Sequence, residues 1–219
     1  MTRILFHADP HGNFAALRDA VEHHHPDAVV RLGDQTLARP LEDELSGLRV
    51  PVKWIHGNHD MDSDAMYDYL FESPYGSLHG SVQEVAGVRI AGLGGVFRGR
   101  VWKPDEPPVF RKASECLETL GKGNRWRGGL PRKLRYAIFP EDYDRLSLQR
   151  ADILVTHEAP ESHPYGFRAL GDLGRQMRVQ VMLHGHHHFD YQGQLHGGIE
   201  VYGLGLAASR LVEFSPGQG

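Results

Sequence analysis

The sequence predicts an α/β protein built as a layered sandwich of sheets and helices. Its first third alternates β-branched runs with a helical pattern, as βαβ units and a mainly parallel sheet require. Several of these runs end in Gly or Asp, which places turn residues at the ends of the predicted strands. The chain has 219 residues, 40% of them hydrophobic, which is enough for one domain with a sizeable core. We therefore expect residues 1–219 to form a single domain.

The elements of the first half follow from the spacing of apolar residues. Strands are predicted at 3–9, 27–34 and 50–57, where short apolar runs occur. A helix is predicted over 13–24, because Phe14, Leu17 and Val21 recur at helical spacing. Residues 81–95 predict a hairpin that turns near Ala86–Gly87.

The second half continues with helices and strands in alternation. Helices are predicted around 140–149 and 170–177, and strands at 152–157 and 180–184. A C-terminal pair of strands is expected at 198–205 and 209–214. This order of elements fits a layered α/β sandwich.

Composition excludes several classes of protein. The formal net charge of -4 indicates no global attraction to nucleic acid or anionic membranes. Cys116 is the only cysteine, so neither a disulfide framework nor a thiolate zinc site is expected. The N-terminus lacks the pattern of a signal peptide, and no run of about 18 apolar residues could span a bilayer. We expect a cytoplasmic protein.

Residues 97–138 differ from the rest of the chain. They are rich in Gly and Pro and hold 11 Lys or Arg against four acidic residues. The segment lies within the predicted domain as a basic insertion or lid, although a solvated loop could carry the same charge without a function.

Polar side chains that can bind metal follow five of the predicted strands. Sites in open α/β sheets form outside the carboxyl ends of the strands, so these groups are expected at one edge. In an extended segment residues i and i+2 point the same way, which would let Asp9 and His11 converge, and likewise His186 and His188. The remaining candidates after strands are Asp34, Asn58, His59, Asp60 and His157.

These motifs resemble the full series of the calcineurin-like metallophosphoesterases. The matching stretches are Asp9-Pro10-His11-Gly12, Gly33-Asp34, Gly57-Asn58-His59-Asp60, His157 and Gly185-His186-His187-His188. The resemblance spans residues 9 to 188 and implies a two-sheet α/β/β/α sandwich. The chain also resembles the compact bacterial-type phosphoesterases in its size and in having Asp60 after the third motif's histidine.

The resemblance implies a binuclear metal centre. One metal would take Asp9, His11 and His188, the second would take Asn58, His157 and His186, and Asp34 would bridge them. Oxygen and imidazole ligands without sulfur suit two divalent or trivalent ions, manganese above all, with iron or zinc as alternatives. Ions roughly 3.5–4 Å apart can hold a hydroxide that attacks a phosphate ester. His184 and His187 would then be bystanders.

His59 is left to meet the substrate as a catalytic acid. It can protonate the leaving oxygen or stabilise charge on the phosphoryl group. Asp60 can orient that ring, or it can instead cap the next helix, for which Ser63 and Asp64 are also candidates.

The other histidines are weaker candidates. His163 could line the pocket, and His7 and His56 are possible hydrogen-bond partners of the ligands. The run His23–His25 is expected at the surface, at the end of the first helix.

The sequence leaves the substrate open. Protein phosphatases of this superfamily carry arginines after the second and third motifs, and neither is present in "GDQTLARP" or "GNHDMDSD". We expect a phosphodiesterase, with a phosphomonoesterase, a nuclease or a non-catalytic protein-interaction scaffold as alternatives.

The basic segment supplies the candidate substrate contacts. Arg98 and Arg100 could bind a phosphate, and Trp102, Phe110 or Trp126 could stack on a base, so a nucleotide or nucleic acid is a candidate partner. A lid or an oligomer contact is the alternative, and the sequence does not determine the oligomeric state.

Overall fold

Two β-sheets packed face to face form the centre of the molecule. A computed structural model describes residues 1–215. Its architecture confirms the α/β sandwich: helices cover the outer face of each sheet, so the layers run α/β/β/α.

The first sheet carries the N-terminal strands. Its order is β11-β1-β2-β3-β4, with β1 to β4 parallel and β11 antiparallel to β1. The strands are β1 (Thr2–His7), β2 (Ala28–Leu32), β3 (Val52–Ile55), β4 (Gly76–Ser77) and β11 (Ser209–Phe214).

The second sheet is also parallel in its middle. Its order is β5-β6-β7-β8-β10-β9, where only the outermost pairs, β5 with β6 and β9 with β10, are antiparallel. The strands are β5 (Ser81–Val85), β6 (Val88–Leu93), β7 (Ile153–Thr156), β8 (Val181–His184), β9 (Tyr191–Gln194) and β10 (Glu200–Gly203).

Apolar side chains explain the layering. Successive side chains of each strand point to opposite faces of its sheet. Every second residue therefore contacts the other sheet, and the residues between contact a helix. Phe6 and Val30 face Ile90 and Val155 between the sheets, while Leu5 packs on the helical side. The helices are α1 (Ala15–His24), α2 (Leu41–Glu44), α3 (Asp64–Phe71), α4 (Ala113–Thr119), α5 (Arg132–Arg135), α6 (Pro140–Ser147) and α7 (Arg168–Met177).

Each predicted strand and helix is present, with ends shifted by at most two residues. The hairpin turns at Ala86–Gly87, as predicted. The two C-terminal strands do not pair with each other: β10 joins the second sheet and β11 the first, because β11 closes the edge beside β1. Among the described helices, none combines the length and apolar character needed to cross a bilayer.

Residues 97–138 fold against the sandwich with a small apolar cluster of their own. Buried Val101, Cys116 and Leu130 pack with Phe139 at the start of α6. Besides α4 and α5, the segment includes a 3₁₀ turn at Lys122–Asn124. The segment is folded and lies next to α3, since Trp126 donates to Asp64 and Arg127 pairs with Asp68.

Candidate metal centre

The carboxyl ends of five parallel strands meet at one edge of the sandwich. Asp9 follows β1, Asp34 follows β2 and Asn58 follows β3, all in the first sheet. His157 follows β7 and His186 follows β8 in the second sheet. Since the two sheets pack on each other, their loops bring these side chains together.

The first group of ligand atoms joins two carboxylates and two imidazoles. Asp9, His11, Asp34 and His188 each offer one atom, and these atoms lie within 4.8 Å of one another. His11 Nε2 is 3.2 Å from His188 Nε2 and 3.7 Å from Asp34 Oδ2. His188 Nε2 lies 3.6 Å from Asp9 Oδ1.

The second group contains Asp34 again. Asp34, His157 and His186 offer atoms within 4.8 Å of one another, and His157 Nε2 lies 3.4 Å from Asp34 Oδ2. Asn58 Oδ1 is 3.3 Å from the same His157 nitrogen. Asp34 is therefore the residue shared by both groups, as a bridging ligand must be.

Hydrogen bonds fix which nitrogen of two of the rings faces the centre. His157 Nδ1 lies 2.8 Å from the Leu32 carbonyl, to which it donates, so Nε2 is the nitrogen that faces the centre. His11 Nδ1 lies 3.1 Å from Thr36 Oγ1, which leaves Nε2 free in the same way.

Left-handed backbone conformations orient the ligand side chains. The φ angles of Asp9, His11, Asp34, His186 and His188 are all positive, between 42° and 71°. Such angles are uncommon outside glycine and cluster at functional sites. Our expectation of extended segments with i, i+2 convergence was wrong, although the side chains do converge. Left-handed turns direct them instead.

Burial and charge favour a bound cation. Burial raises the pKa of the Asp9 carboxyl to about 7. Burial acts on Asp34 in the same sense, but the neighbouring His157 outweighs it and lowers the pKa of Asp34. The pKa of His157, which burial alone would lower, is raised to about 10 by Asp34. Buried carboxylates beside imidazole nitrogens are a donor set that transition-metal ions take, so these residues fit a metal centre.

The side chains of the site differ in their exposure to solvent. Asp9, Asp34 and His157 are buried, whereas His188 and His59 are exposed. His59 stands beside the first group, its ring centroid 5.7 Å from that of His11, and its backbone N–H donates to Asp34 Oδ1 at 2.8 Å. An exposed imidazole beside the ligands can meet a substrate that enters from solvent.

Asp62, rather than Asp60, orients the His59 ring. His59 Nδ1 lies 2.7 Å from Asp62 Oδ2. This hydrogen bond raises the pKa of His59, so the imidazolium is favoured. The Asp60 carboxylate instead accepts N–H groups from Gln35 at 2.6 Å and Gly57 at 2.7 Å. The expected contact between Asp60 and His59 is therefore not formed.

Asp60 does not cap the next helix either. Ser63 is the cap of α3, where its hydroxyl accepts the N–H of Met66 at 3.1 Å. Asp60 is 1% exposed, and its two oxygens tie the loop after β2 to the loop after β3. Asp60 therefore holds together the two loops that carry Asp34 and Asn58.

The remaining candidate histidines lie away from the ligand atoms. His163 stacks on His187, with ring centroids 4.0 Å apart, and His187 in turn contacts the His186 ring. The His187 ring therefore lies between His163 and His186. His7 bonds Ser209, and His56 faces the His79 ring; within residues 1–215 neither forms a hydrogen bond to a ligand residue. The run His23–His25 lies at the surface, as predicted.

The arginines expected to contact substrate lie beside the second ligand group. A cavity of about 440 Å³ has Asn58, His186, Arg98 and Arg100 in its wall. Arg98 donates to the Tyr136 hydroxyl and lies over the Tyr136 ring, which holds its guanidinium in place. We call this space the phosphate cavity.

The three aromatic residues of the segment are used in packing. Trp102 meets Phe97 edge-on at 5.1 Å between ring centroids, and Phe110 joins the segment's apolar cluster. Trp126 has the guanidinium groups of Arg127 and Arg135 over its ring. Base stacking on these side chains would require them to leave these contacts.

Sequence reasoning missed three residues at the centre. Thr36 contacts His11 Nδ1, Asp62 bonds His59, and buried Glu158 lies with His186 and His187 in a third group of ligand-type atoms. Burial raises the pKa of Glu158 to about 7. The signals were present, because Thr36, Asp62 and Glu158 lie within three residues of a recognised motif residue.

Comparisons with known proteins agree with this geometry. The family model for calcineurin-like phosphoesterase matches residues 2–190. An uncharacterized protein of Haemophilus influenzae is 38% identical over 190 residues, which cover 86% of this chain and 84% of that protein.

Two solved structures share the fold. One is a protein of Thermus thermophilus, with a TM-score of 0.59, 18% identity and coverage of 94% of this chain and 90% of that one. The other is a dimetal phosphatase from Danio rerio, with a TM-score of 0.57, 15% identity and coverage of 94% and 88%.

Proposed function

The chain belongs to the calcineurin-like phosphoesterase family and hydrolyses phosphate esters, and from this premise we propose that it is a phosphodiesterase with a binuclear metal centre. The observation that carries the proposal is Asp34, which belongs to both groups of ligand atoms. A single shared carboxylate between two sets of imidazole and oxygen donors is the arrangement that holds two ions close together.

The ligands divide into two sets around Asp34. Asp9, His11 and His188 would hold one ion, and Asn58, His157 and His186 would hold the other. We infer manganese as the metal, with iron or zinc as alternatives that suit the same donors. When bound, such ions supply an activated water as nucleophile and positive charge for the phosphate oxygens.

His59 is the proton donor in this proposal. Its ring is exposed at the mouth of the centre, and Asp62 favours its protonated form by accepting from Nδ1. The Nε2–H is then free to protonate the leaving oxygen of the ester. Asp62 is a positioning residue, because it acts on the substrate only through His59.

Room beside the ligands favours a diester. The phosphate cavity, at about 440 Å³, extends from Asn58 and His186 to Arg98 and Arg100. A diester carries a second substituent, and this cavity offers it room beside the ligands. Arg98 is the contact for the scissile phosphate, held in position by its bond to Tyr136, and Arg100, which lines the same cavity, is a further cationic contact for the substrate. His163 stacks on His187 outside the wall of this cavity, so the proposal gives it no contact with the substrate.

Paired hydrolysis rates test the proposal. Protein stripped with a chelator and reloaded with manganese is offered bis(4-nitrophenyl) phosphate and 4-nitrophenyl phosphate, beside Asp34→Asn. We expect a higher kcat/KM for the diester and loss of activity in the variant. A preference for the monoester would assign the chain to the phosphomonoesterases. Equal inactivity of both proteins with manganese, iron and zinc would contradict the proposal.

A further inference from the structure

A second cavity continues from the phosphate cavity along residues 97–138. It measures about 570 Å³ and shares Arg98 and Arg100 with the phosphate cavity. Its far wall contains Arg132 and Lys133, at the start of α5. We call it the distal groove. Because the two cavities share Arg98 and Arg100, a substrate bound at the metal centre can extend into the distal groove while it stays in contact with the protein.

The distal groove concentrates positive charge. Four of its wall residues are Arg or Lys, and among the described residues of that wall Asp62 is the single carboxylate. The chain as a whole carries a formal net charge of -4, so this surface runs against the overall balance. A concave site lined by one sign of charge raises the local concentration of ligands of the opposite sign.

Most cations of the segment have structural partners, but two in the groove do not. Arg125 donates to the Leu117 and Leu120 carbonyls, Arg127 pairs with Asp68, and Arg132 pairs with Asp64. Within residues 1–215, Arg100 and Lys133 form no ion pair with protein groups. Both are exposed toward the groove's solvent side, where a ligand can reach them.

The groove also has an apolar wall. Met61, Leu120, Pro131 and Leu134 line it between the cations. Met61 is fixed, since it is buried and its carbonyl accepts from Arg132 at 3.1 Å. A ligand with an organic part next to an anionic group would satisfy both walls, whereas a bare inorganic anion would leave the apolar wall in water.

We propose that the natural substrate carries a second phosphate group, attached through an organic part to the ester that is hydrolysed, and that Lys133 and Arg100 bind this second phosphate in the distal groove. This inference rests on the proposed function, because it places the scissile ester at the metal centre. Two sources share the chemistry: a nucleotide with a phosphate elsewhere on the sugar, and a short oligonucleotide whose next backbone phosphate fills the groove.

A matched set of chromogenic diesters tests this. The 4-nitrophenyl ester of thymidine 5′-phosphate has one phosphate, and the same ester with a 3′-phosphate has two; both release 4-nitrophenolate. In the wild type we expect kcat/KM to rise at least tenfold with the 3′-phosphate, mainly through KM. The 4-nitrophenyl ester of the dithymidine dinucleotide places a backbone diester in that position, so the larger of the two gains identifies the source.

Lys133→Ala is the informative variant. We expect it to lose most of the gain while its kcat/KM for the singly phosphorylated ester stays within twofold of wild type. Lys112→Ala is the matched control, because Lys112 is an exposed lysine of the same segment outside the groove wall. It should keep the full gain. Equal kcat/KM for the one- and two-phosphate esters in the wild type would overturn the inference and leave the proposed function intact.

A binding measurement separates the two proposals. Calorimetry compares thymidine 3′,5′-bisphosphate with thymidine 5′-phosphate on manganese-loaded protein, which requires no turnover. We expect tighter binding of the bisphosphate by at least tenfold, lost in Lys133→Ala and weakened by salt. If no ester is hydrolysed but this difference in affinity is found, the proposed function is contradicted and the binding of a second phosphate in the distal groove is supported. Equal affinity for the two nucleotides would refute the groove.

Discussion

Replacing Asp60 and Asp62 by alanine should separate stability from catalysis. The two carboxylates lie two residues apart in the loop after β3, yet Asp60 is buried and Asp62 is exposed. Asp60 accepts the backbone N–H groups of Gln35 and Gly57, while Asp62 accepts from the His59 ring. We therefore expect Asp60→Ala to destabilise the fold and Asp62→Ala to slow the reaction.

The size of the Asp60 effect follows from its contacts. Two buried donors lose their acceptor, and each costs about 1–3 kcal/mol when unsatisfied. Burial raises the pKa of Asp60 to about 6, so removing its charge at pH 7 offsets part of this loss. The net expectation is a loss of about 2–4 kcal/mol, a large part of the usual 5–15 kcal/mol.

Urea unfolding at pH 7 and initial rates give the two readouts. Metal-free protein is used for unfolding, so that changes in metal affinity do not enter the midpoint. Asp60→Asn keeps one acceptor oxygen and should fall between wild type and Asp60→Ala. Asp62→Ala should unfold within about 0.5 kcal/mol of wild type, because exposed ion pairs contribute little. Its kcat should fall on the order of 10- to 100-fold.

The reasoning would be refuted by the reverse pattern. If Asp60→Ala unfolded at the wild-type urea concentration but lost activity, Asp60 would act on the reaction rather than on the loops. If Asp62→Ala kept full activity, His59 would not depend on Asp62.

Three further predictions concern pH and the metal centre. Burial raises the pKa of Asp9 to about 7, which disfavours the charged form, so metal-free Asp9→Asn should be more stable than metal-free wild type at pH 8, by up to about 4 kcal/mol. That advantage should shrink as the pH falls through 7 toward 4 and should be checked by urea unfolding across pH. Gly185→Ala places a Cβ against Asp9 Oδ2 and should weaken metal binding more than tenfold by calorimetry, while Gly123→Ala, which has open space, should not. Because Asp62 raises the pKa of His59, the imidazolium should be lost at lower pH in Asp62→Asn, and the alkaline limb of its pH–rate profile should move to lower pH than in wild type.

The fold could be predicted because its signals are local. Short apolar runs predicted each strand after which a ligand lies, and the ligands followed from their positions after those strands. The partner of β11 could not be predicted, because pairing with β1 joins the two ends of the chain, residues 2–7 with 209–214. Spacing in sequence carries no information on such a contact.

The support of the site was harder to predict than its ligands. Asp60 and Asp62 are both acidic residues close to His59, and only burial decides which one reaches the ring. The orientation of Asp9 and His11 depends on positive φ angles, which Asp and His adopt more often than most residues but which neither residue type specifies on its own. The roles of Arg100 and Lys133 required knowing which other cations of the segment are already paired.

A manganese titration of chelator-stripped protein tests the central claim most directly. Bound metal is measured by elemental analysis and activity on bis(4-nitrophenyl) phosphate is measured on the same samples, for wild type and Asp34→Asn. Two bound ions per chain, with activity that reaches its maximum at two equivalents and is lost in the variant, is the predicted result. Full activity with one ion or none, or two ions retained with full activity in Asp34→Asn, would contradict a centre bridged by Asp34.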